Sequence, residues 1–327
     1  MKLKSLVLLG ALITQVALPA LHAAPEARHL VIVAGRPSHP PLMHEFNAGS
    51  ILLNKRLQGI PGLRTTLITN GWPESNEVFK DADAIFLYMD GGGGHPAIRP
   101  ENLAVLGDLM KQGVGLGCAH FAVEVPADRG GQEFRDWIGG HYEHEFSCNP
   151  IWSPTFSSLP AHPVTRGVEP FSAKDEWYFN MRFRPNHEGV IPLLVAAPSD
   201  DVRDGPYVYP QGPYEHIVEA TGRDEIMMWS VEREDGGRGF GFTGGHFHKN
   251  WANNSFRKTV LNALLWITKV DVPLDGVESA AVSEEELLEN LDPKGGPKPT
   301  LESLRASAAQ PCACMMVAQN PAHPSHN

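Results

Sequence analysis

Basic residues and cysteines are few in this 327-residue sequence, and only one of its segments is apolar over a long run. Lys and Arg number 27 against 38 Asp and Glu, and the resulting formal charge of −11 disfavours binding to nucleic acid or to anionic lipid. Four cysteines add little about the cellular compartment, and we do not expect a disulfide between Cys118 and Cys148. Beyond the N-terminal run, no segment approaches the length of a membrane span.

The rest of the composition is that of an ordinary globular protein. Hydrophobic residues make up 42% and charged residues 20%, which excludes wholesale disorder and coiled-coil architectures. The 32 glycines and 28 prolines are too many for a helical bundle and favour a loop-rich α/β or β fold. Histidine is abundant at 15 residues, and imidazole is the usual acid/base group and metal ligand at neutral pH.

The N-terminal apolar run has the order of segments that is typical of a secretory signal peptide. Residues 1–4 are short and basic, residues 5–17 are almost wholly apolar, and small residues precede Pro25. We expect cleavage after Ala23, so that residues 1–23 are removed and the mature protein is exported to the periplasm or the medium. The alternative, a retained membrane anchor, is disfavoured because the run is short for a spanning helix.

The composition changes again after Val270. A short acidic helix is predicted at 283–291, followed by a Lys/Pro/Gly linker and an Ala/Pro/His-rich end. We therefore expect residues 270–327 to form a flexible extension that does not pack into the core. Cys312 and Cys314, next to two methionines, offer the soft ligands that Cu(I) prefers, although incidental sulfur in a small-residue tail is the simpler interpretation.

Strand and helix patterns alternate through the first half of the chain. Apolar strands are predicted at 29–34, 63–69, 84–89 and 114–119, with amphipathic helices between them. This order predicts an α/β fold around a mostly parallel sheet. The second half adds further strand-like segments at 176–183, 191–196, 225–231 and 238–243, a long loop at 198–215 and a final helix at 256–267.

Polar side chains follow the ends of four of these predicted strands. They are His39, His44, Glu45, Asp90, His95, His120, Glu124, His246 and His248, together with a glycine run that includes Gly92 and Gly93. Because ligands bind where parallel strands end, these groups should meet in one cleft. We expect His120 at its floor, His44 and His246 beside it, and the 198–215 loop as its roof.

His120 lies in the most specific local pattern. Small residues stand two positions to either side of it, as a sharp strand-to-helix turn requires, and hydrolases and amidotransferases place Ser or Cys at the centre of such a turn. Cys118 as a nucleophile is an alternative to Cys118 as a core residue. His246 and His248 would share one face of an extended segment and could bind one metal ion.

Two further segments have an open interpretation. The segment 175–178 places two carboxylates beside Trp177 and Tyr178, a composition that suits stacking on a sugar ring, although a plain edge strand fits as well. The segment 141–145 is interpreted first as a solvated polar patch.

Several of these blocks, in this order, carry a family resemblance. They are 39–46, with His39 and His44; 89–96, with Asp90 and four glycines; 115–120, ending in Cys118-Ala119-His120; 162–167; 175–178; and 239–246, ending in Gly244-Gly245-His246. The chain resembles the trehalose-utilisation (ThuA-like) family, which is related to the class I glutamine amidotransferases. The resemblance implies a domain at 29–269 with a flavodoxin-like three-layer fold. It also implies a link to disaccharide or keto-sugar metabolism and the loss of the amidotransferase cysteine.

These observations lead to three hypotheses. The first is an exported enzyme of carbohydrate metabolism with His120, His44, His246 and Glu124 as catalytic groups, or with His44, His120, His246 and His248 as ligands of Zn²⁺. Substrate contacts are expected from His39, Glu45, Asp90, Gly92, Gly93, His95, Glu176, Trp177 and Tyr178. The others are a non-catalytic sugar-binding domain and a Cys118 hydrolase.

The first hypothesis also predicts how activity or metal binding depends on pH. Clustered imidazoles should lower one another's pKa, so activity or metal binding should fall below about pH 6. No nucleotide cofactor is expected, and the sequence does not indicate an oligomeric state.

Overall fold

The computed structural model describes residues 26–307, so the predicted signal peptide and the Cys312–Cys314 segment lie outside the described residues. The strands are β1 (Arg28–Ala34), β2 (Leu63–Ile68), β3 (Ala84–Tyr88), β4 (Gly115–Ala119), β5 (Gly140–His141), β6 (Ile151–Trp152), β7 (Thr155–Phe156), β8 (Phe171–Ser172), β9 (Asp175–Glu176), β10 (Arg182–Phe183), β11 (Val190–Ala196), β12 (Glu225–Glu232) and β13 (Arg238–Phe242). The helices are α1 (Phe46–Leu57), α2 (Pro100–Lys111), α3 (Gly131–Ile138), α4 (Asp200–Arg203), α5 (Glu215–Val218), α6 (Asn254–Ile267), α7 (Glu284–Leu287) and α8 (Leu301–Ala306).

Seven strands form one central sheet in the order β11-β12-β13-β4-β3-β1-β2. The pairs from β13 to β2 are parallel, whereas β12 is antiparallel to both of its neighbours. The prediction of an α/β fold with a mostly parallel sheet is confirmed. The carboxyl ends of β1, β3, β4 and β13 therefore lie along one edge of the sheet.

Helices cover both faces of this sheet and make a three-layer fold. Alternate residues of β1 point to opposite faces: Leu30 and Ile32 pack with α1 and α6, whereas Val31 and Val33 pack with α2 and α3. Strands buried on both faces read as continuous apolar runs, which is why the sequence located them well. The expected flavodoxin-like architecture is confirmed.

The second half of the chain also contains the expected β-rich insertions, as three small antiparallel pairs: β5 with β10, β6 with β9, and β7 with β8. The single strand predicted at 176–183 is instead β9 and β10, and Asn180 between them has a φ of 53°. This break leaves the short strand β9 beside the edge of the sheet where the site lies.

The C-terminal extension differs from its prediction. Five of its apolar residues lie in the core on the α1 and α6 side: Val272, Val277, Val282, Leu287 and Leu304. Glu286 also pairs with Arg56 of α1 at 2.6 Å. The expectation that this segment stays out of the core does not hold for its described part, residues 270–307. No helix within residues 26–307 is long and apolar enough to cross a membrane.

Candidate functional site

Three histidines and one glutamate from four separate segments converge at the carboxyl edge of the sheet. His44, His120, Glu176 and His246, which we call the His3Glu cluster, each place one ligand atom within 4.8 Å of the others. His44 Nε2 lies 2.9 Å from His246 Nδ1 and 3.0 Å from His120 Nε2. Glu176 Oε2 lies 2.6 Å from His246 Nδ1 and 3.6 Å from His120 Nε2. All four side chains are buried.

His120 is positioned by the sharp turn that the sequence predicted. It follows β4 directly and has a φ of 52°, a left-handed conformation that is uncommon outside glycine. Its Nδ1 donates to the carbonyl oxygen of Thr243 at 2.9 Å. The Nε2 atom therefore faces the cluster, where the Tyr178 hydroxyl lies 3.3 Å away.

His44 is held between a carboxylate and the cluster. Its Nδ1 lies 3.5 Å from Asp90 Oδ1, which in turn accepts a hydrogen bond from Ser38 at 2.8 Å. Burial raises the pKa of Asp90 to about 6, so this group is mostly ionised at neutral pH. The His39 ring stacks on His44 with centroids 3.6 Å apart, and its side chain is 28% exposed. His39 and Asp90 therefore mark the open side of the cluster.

His246 is positioned through its backbone by Asp175, whose own side chain is not in the cluster. Asp175 Oδ1 accepts from the backbone N–H groups of His246 at 3.0 Å and Phe247 at 3.2 Å. Its Oδ2 accepts from Gly245 at 2.8 Å and from the Asn250 side chain at 3.0 Å. Asp175 thus fixes the loop after β13, a role that sequence reasoning missed.

Charge within the cluster is divided unevenly. Burial would raise the pKa of Glu176, but the charges of His246 and His120 and their contacts with the carboxylate outweigh this effect and hold the pKa at about 2. Burial lowers the pKa of His44 well below its usual value, and that of His39 to about 4, with neighbouring imidazoles adding to the shift. For His120, the effect of burial is outweighed by the contact with Glu176 and by the charges of Glu176 and Asp175, and its pKa is raised. The expected mutual lowering is therefore wrong for His120, because it took no account of a carboxylate in the cluster.

Glu124 lies beside the cluster and is partly buried. Burial and the charge of Glu176 raise its pKa to about 8, so the carboxyl group is mostly protonated at neutral pH. Gly92 donates its N–H to the Glu124 carbonyl oxygen at 2.9 Å. A Cβ on Gly91 would lie 2.0 Å from the Phe121 carbonyl oxygen, so the glycine run lets two loops meet closely. Gly93, in contrast, is exposed and bonds Arg129 through its carbonyl.

Two of the predicted histidines lie elsewhere. His95 is buried with Nε2 bonded to the Ala122 carbonyl at 3.1 Å and Nδ1 accepting from the Ala97 N–H at 3.1 Å, so it caps a turn. His248 begins the short turn His248–Ala252, and its ring bonds the backbone of Leu287 instead of joining His246. The expectation that His246 and His248 bind one metal ion together is not met, because the ring of His248 bonds Leu287 and lies outside the cluster.

Two predicted substrate-binding residues are also placed outside the cluster. Trp177 is buried in the core, where its indole N–H donates to the Ala173 carbonyl at 2.9 Å, so it offers no ring face to a sugar. Both carboxylate oxygens of Glu45 accept backbone N–H groups, from Leu42 at 2.6 Å and Asp292 at 2.7 Å. Glu45 thus braces its own loop.

Cys118 is a core residue. Its thiol is fully buried among residues packed with α2 and α3, and this burial raises its pKa far above the usual range. Such a thiol would stay protonated and out of reach of a substrate, which is evidence against the Cys118 hydrolase. Cys118 and Cys148 are both free.

The 198–215 loop is connected to the cluster by hydrogen bonds through Asn149. The Asn149 carbonyl accepts from the backbone of Val208 at 3.2 Å and its side-chain oxygen from that of Tyr209 at 3.2 Å. Asn149 Nδ2 then donates to Glu176 Oε1 at 2.8 Å. The loop is thus coupled to the cluster, and Asn149 is a second contributor that the sequence did not single out.

The comparisons with known proteins agree with this architecture. The family model ThuA, described as trehalose utilisation, matches residues 65–267, more than half of the chain. Among solved structures, a protein described as ThuA-like from Bacteroides uniformis is 17% identical, with a TM-score of 0.52 over 78% of this chain and 97% of its own. A second such protein, from Parabacteroides merdae, is 14% identical, with a TM-score of 0.50 over 76% of this chain and 92% of its own. A search of curated proteins found no match. By its sequence match and its fold, the chain belongs to the ThuA family.

Proposed function

We propose that this protein is an exported, metal-dependent enzyme that acts on a disaccharide or keto-sugar, with the His3Glu cluster as its metal site. The observation that carries the proposal is the convergence of three imidazole nitrogens and one carboxylate oxygen within 4.8 Å in a buried position. The carbohydrate substrate rests on the family description, and export rests on the N-terminal sequence.

The donor and acceptor inventory supports a cation between these groups. His120 commits its Nδ1 proton to Thr243, and the Nδ1 of His44 faces Asp90, so the two Nε2 atoms point at one another at 3.0 Å. Only a shared proton or a metal ion would make that approach favourable. Ligand nitrogens around a tetrahedral zinc ion with bonds of about 2 Å are separated by about 3.3 Å, close to this spacing.

The chemistry of the ligands favours Zn²⁺ among the common ions. Imidazole and carboxylate are its usual ligands, whereas Mg²⁺ and Ca²⁺ prefer oxygen. Thr243 and Asp90 face the outer nitrogens of His120 and His44, as outer partners of metal-bound histidines commonly do.

Three residues near this ion would have separate roles in the reaction. When bound, Zn²⁺ would polarise a carbonyl or hydroxyl of the sugar, or acidify a water molecule. Glu124, protonated at neutral pH, can hold the proton that a departing oxygen needs. His39 lies on the open side, where a substrate would meet it first. Tyr178, beside His120, can donate a hydrogen bond to a substrate oxygen.

Metal content and turnover test the proposal together. The mature protein should retain about one zinc ion per chain, and it should convert trehalose, another disaccharide or a 3-keto derivative in a reaction that a chelator stops and Zn²⁺ restores. Sugar binding that chelation leaves unchanged, with no product formed, would instead favour the non-catalytic sugar-binding domain. Absence of bound metal after incubation with Zn²⁺ would refute the metal site.

Metal binding should release protons, and more of them per ion as the pH falls. In the metal-free protein the pKa of His120 is raised, so this imidazole holds its proton more tightly than usual, and an ion must displace that proton. His39 and His44, with lowered pKa values, do not compete near neutral pH. The affinity should therefore fall about tenfold per pH unit below the raised pKa, starting at a higher pH than the sequence alone suggested. Calorimetry in two buffers of different ionisation enthalpy measures the proton count, and a count of zero would contradict this account.

A further inference from the structure

The loop that carries His44 adopts an unusual backbone. Between β1 and α1, three residues that are not glycine have left-handed φ values: His39 at 61°, Leu42 at 69° and His44 at 47°. Such conformations persist only where the surrounding structure holds them. The contacts that surround this loop therefore decide whether His44 reaches the cluster.

Lys294, from the C-terminal extension, makes many of those contacts. Its side chain is 5% exposed, and Nζ lies 3.3 Å from Glu45 Oε1. Nζ also donates to the carbonyl oxygens of Met43 and His44, the latter at 3.2 Å, and lies 3.5 Å from that of Pro40. A nearly buried ammonium group needs such partners, and here they all belong to one loop.

A neighbouring residue of the extension closes the same loop from its other end. Asp292 donates its backbone N–H to Glu45 Oε2 at 2.7 Å and accepts from the Asn47 side chain at 2.6 Å. The extension reaches this position because Val282 and Leu287 anchor it in the core. Glu45 is thus bonded on both oxygens and paired with Lys294.

We propose that Lys294 is a positioning residue of the site: by binding the Met43 and His44 carbonyls and Glu45, it holds the 39–45 loop so that His44 completes the His3Glu cluster. This inference rests on the proposed metal site for its functional consequence. The extension would then be a working part of the site, although it lies outside the 65–267 match to the family.

The test compares Lys294→Met with Lys298→Met in the full mature protein, since Lys298 is exposed and lies four residues further along. Lys294→Met should weaken Zn²⁺ binding by about 10–100-fold, the usual cost of losing an outer partner of a ligand. Hydrogen exchange should rise at residues 39–47 and stay unchanged in β3 and β4. Lys298→Met should change neither measurement.

Each outcome decides between the two proposals. Unchanged zinc affinity and unchanged exchange at 39–47 in Lys294→Met would overturn the role of Lys294. If the wild-type protein binds no zinc, the proposed function fails, while hydrogen exchange at 39–47 still decides whether Lys294 holds the loop. If Lys294→Met does not fold, Lys294→Arg and Lys294→Gln are compared in the same two measurements. Lys294→Arg keeps the charge, so its zinc affinity should be closer to that of the wild type than the affinity of Lys294→Gln.

Discussion

Replacing His120 by alanine should abolish stoichiometric zinc binding, and with it the proposed activity. His120 faces three other members of the site at once: His44 at 3.0 Å, Glu176 at 3.6 Å and the Tyr178 hydroxyl at 3.3 Å. Removing it deletes a ligand and leaves Glu176 with one fewer positive neighbour. The loss of affinity should clearly exceed the roughly 100-fold that removal of an outer partner can cost. Metal analysis after dialysis and calorimetric titration with Zn²⁺ measure it.

Two other histidine variants make this result specific. His187→Ala removes an exposed imidazole and should leave the zinc content at about one ion per chain. His248→Asn tests whether His248 is a ligand, as the sequence predicted. In the structure its ring instead bonds the backbone of Leu287. We expect His248→Asn to retain zinc. Loss of zinc in His248→Asn with retention in His120→Ala would show that the ion, if bound, lies elsewhere.

The edge of the sheet at which His44, His120 and His246 meet could be predicted from the strand pattern alone. Buried parallel strands are continuous apolar runs, their order along the chain implies βαβ units, and their carboxyl ends share an edge. His120 and His246 follow such ends by one and four residues, so the sheet alone brings them close together. His44 lies ten residues beyond β1, and the contacts of its loop decide whether it reaches the other two. Their roles as ligands remain a prediction.

The fourth member of the cluster shows where this reasoning stops. Glu176 lies on β9, a two-residue strand of an insertion that pairs with β6 and not with the central sheet. Its position depends on contacts between segments far apart in sequence, such as the bond from Asn149, and no periodicity encodes them. The sequence therefore singled out the segment 175–178 but left it open between sugar stacking and a plain edge strand, with Glu176 as a substrate contact and not a member of the histidine cluster.

Side-chain direction was the second source of error. His248 follows His246 by two residues, and the period of two places both on one face only if the backbone is extended. Phe247 is extended and bridged to Met43, yet the ring of His248 bonds the backbone of Leu287 and lies outside the cluster, so the spacing alone did not locate this imidazole. The extension beyond Val270 was misjudged for a related reason: its core residues are widely spaced, and only their docking on α1 and α6 shows that they are buried.

Asp175 should be the residue of the site whose loss costs the most stability. Its buried carboxylate accepts from four backbone N–H groups, those of Glu176, Gly245, His246 and Phe247, and from the Asn250 amide. In Asp175→Asn one oxygen becomes an NH2 group, which faces donors instead of accepting from them. Leaving buried donors without an acceptor should lower the free energy of unfolding by about 3 kcal/mol. Urea unfolding of the metal-free protein measures this change.

The same substitution should weaken zinc binding, because the loop that carries His246 is no longer fixed. Asp224→Asn is the matched control, since Asp224 is exposed and a change there should stay within about 0.5 kcal/mol. The loss of stability in Asp175→Asn should appear already in the metal-free protein. Replacing a residue that acts only as a metal ligand would instead destabilise the protein only when metal is present. Unfolding of metal-free Asp175→Asn at the wild-type urea concentration would show that the bonds to the 245–247 backbone contribute little, and His246 would then need another explanation for its position.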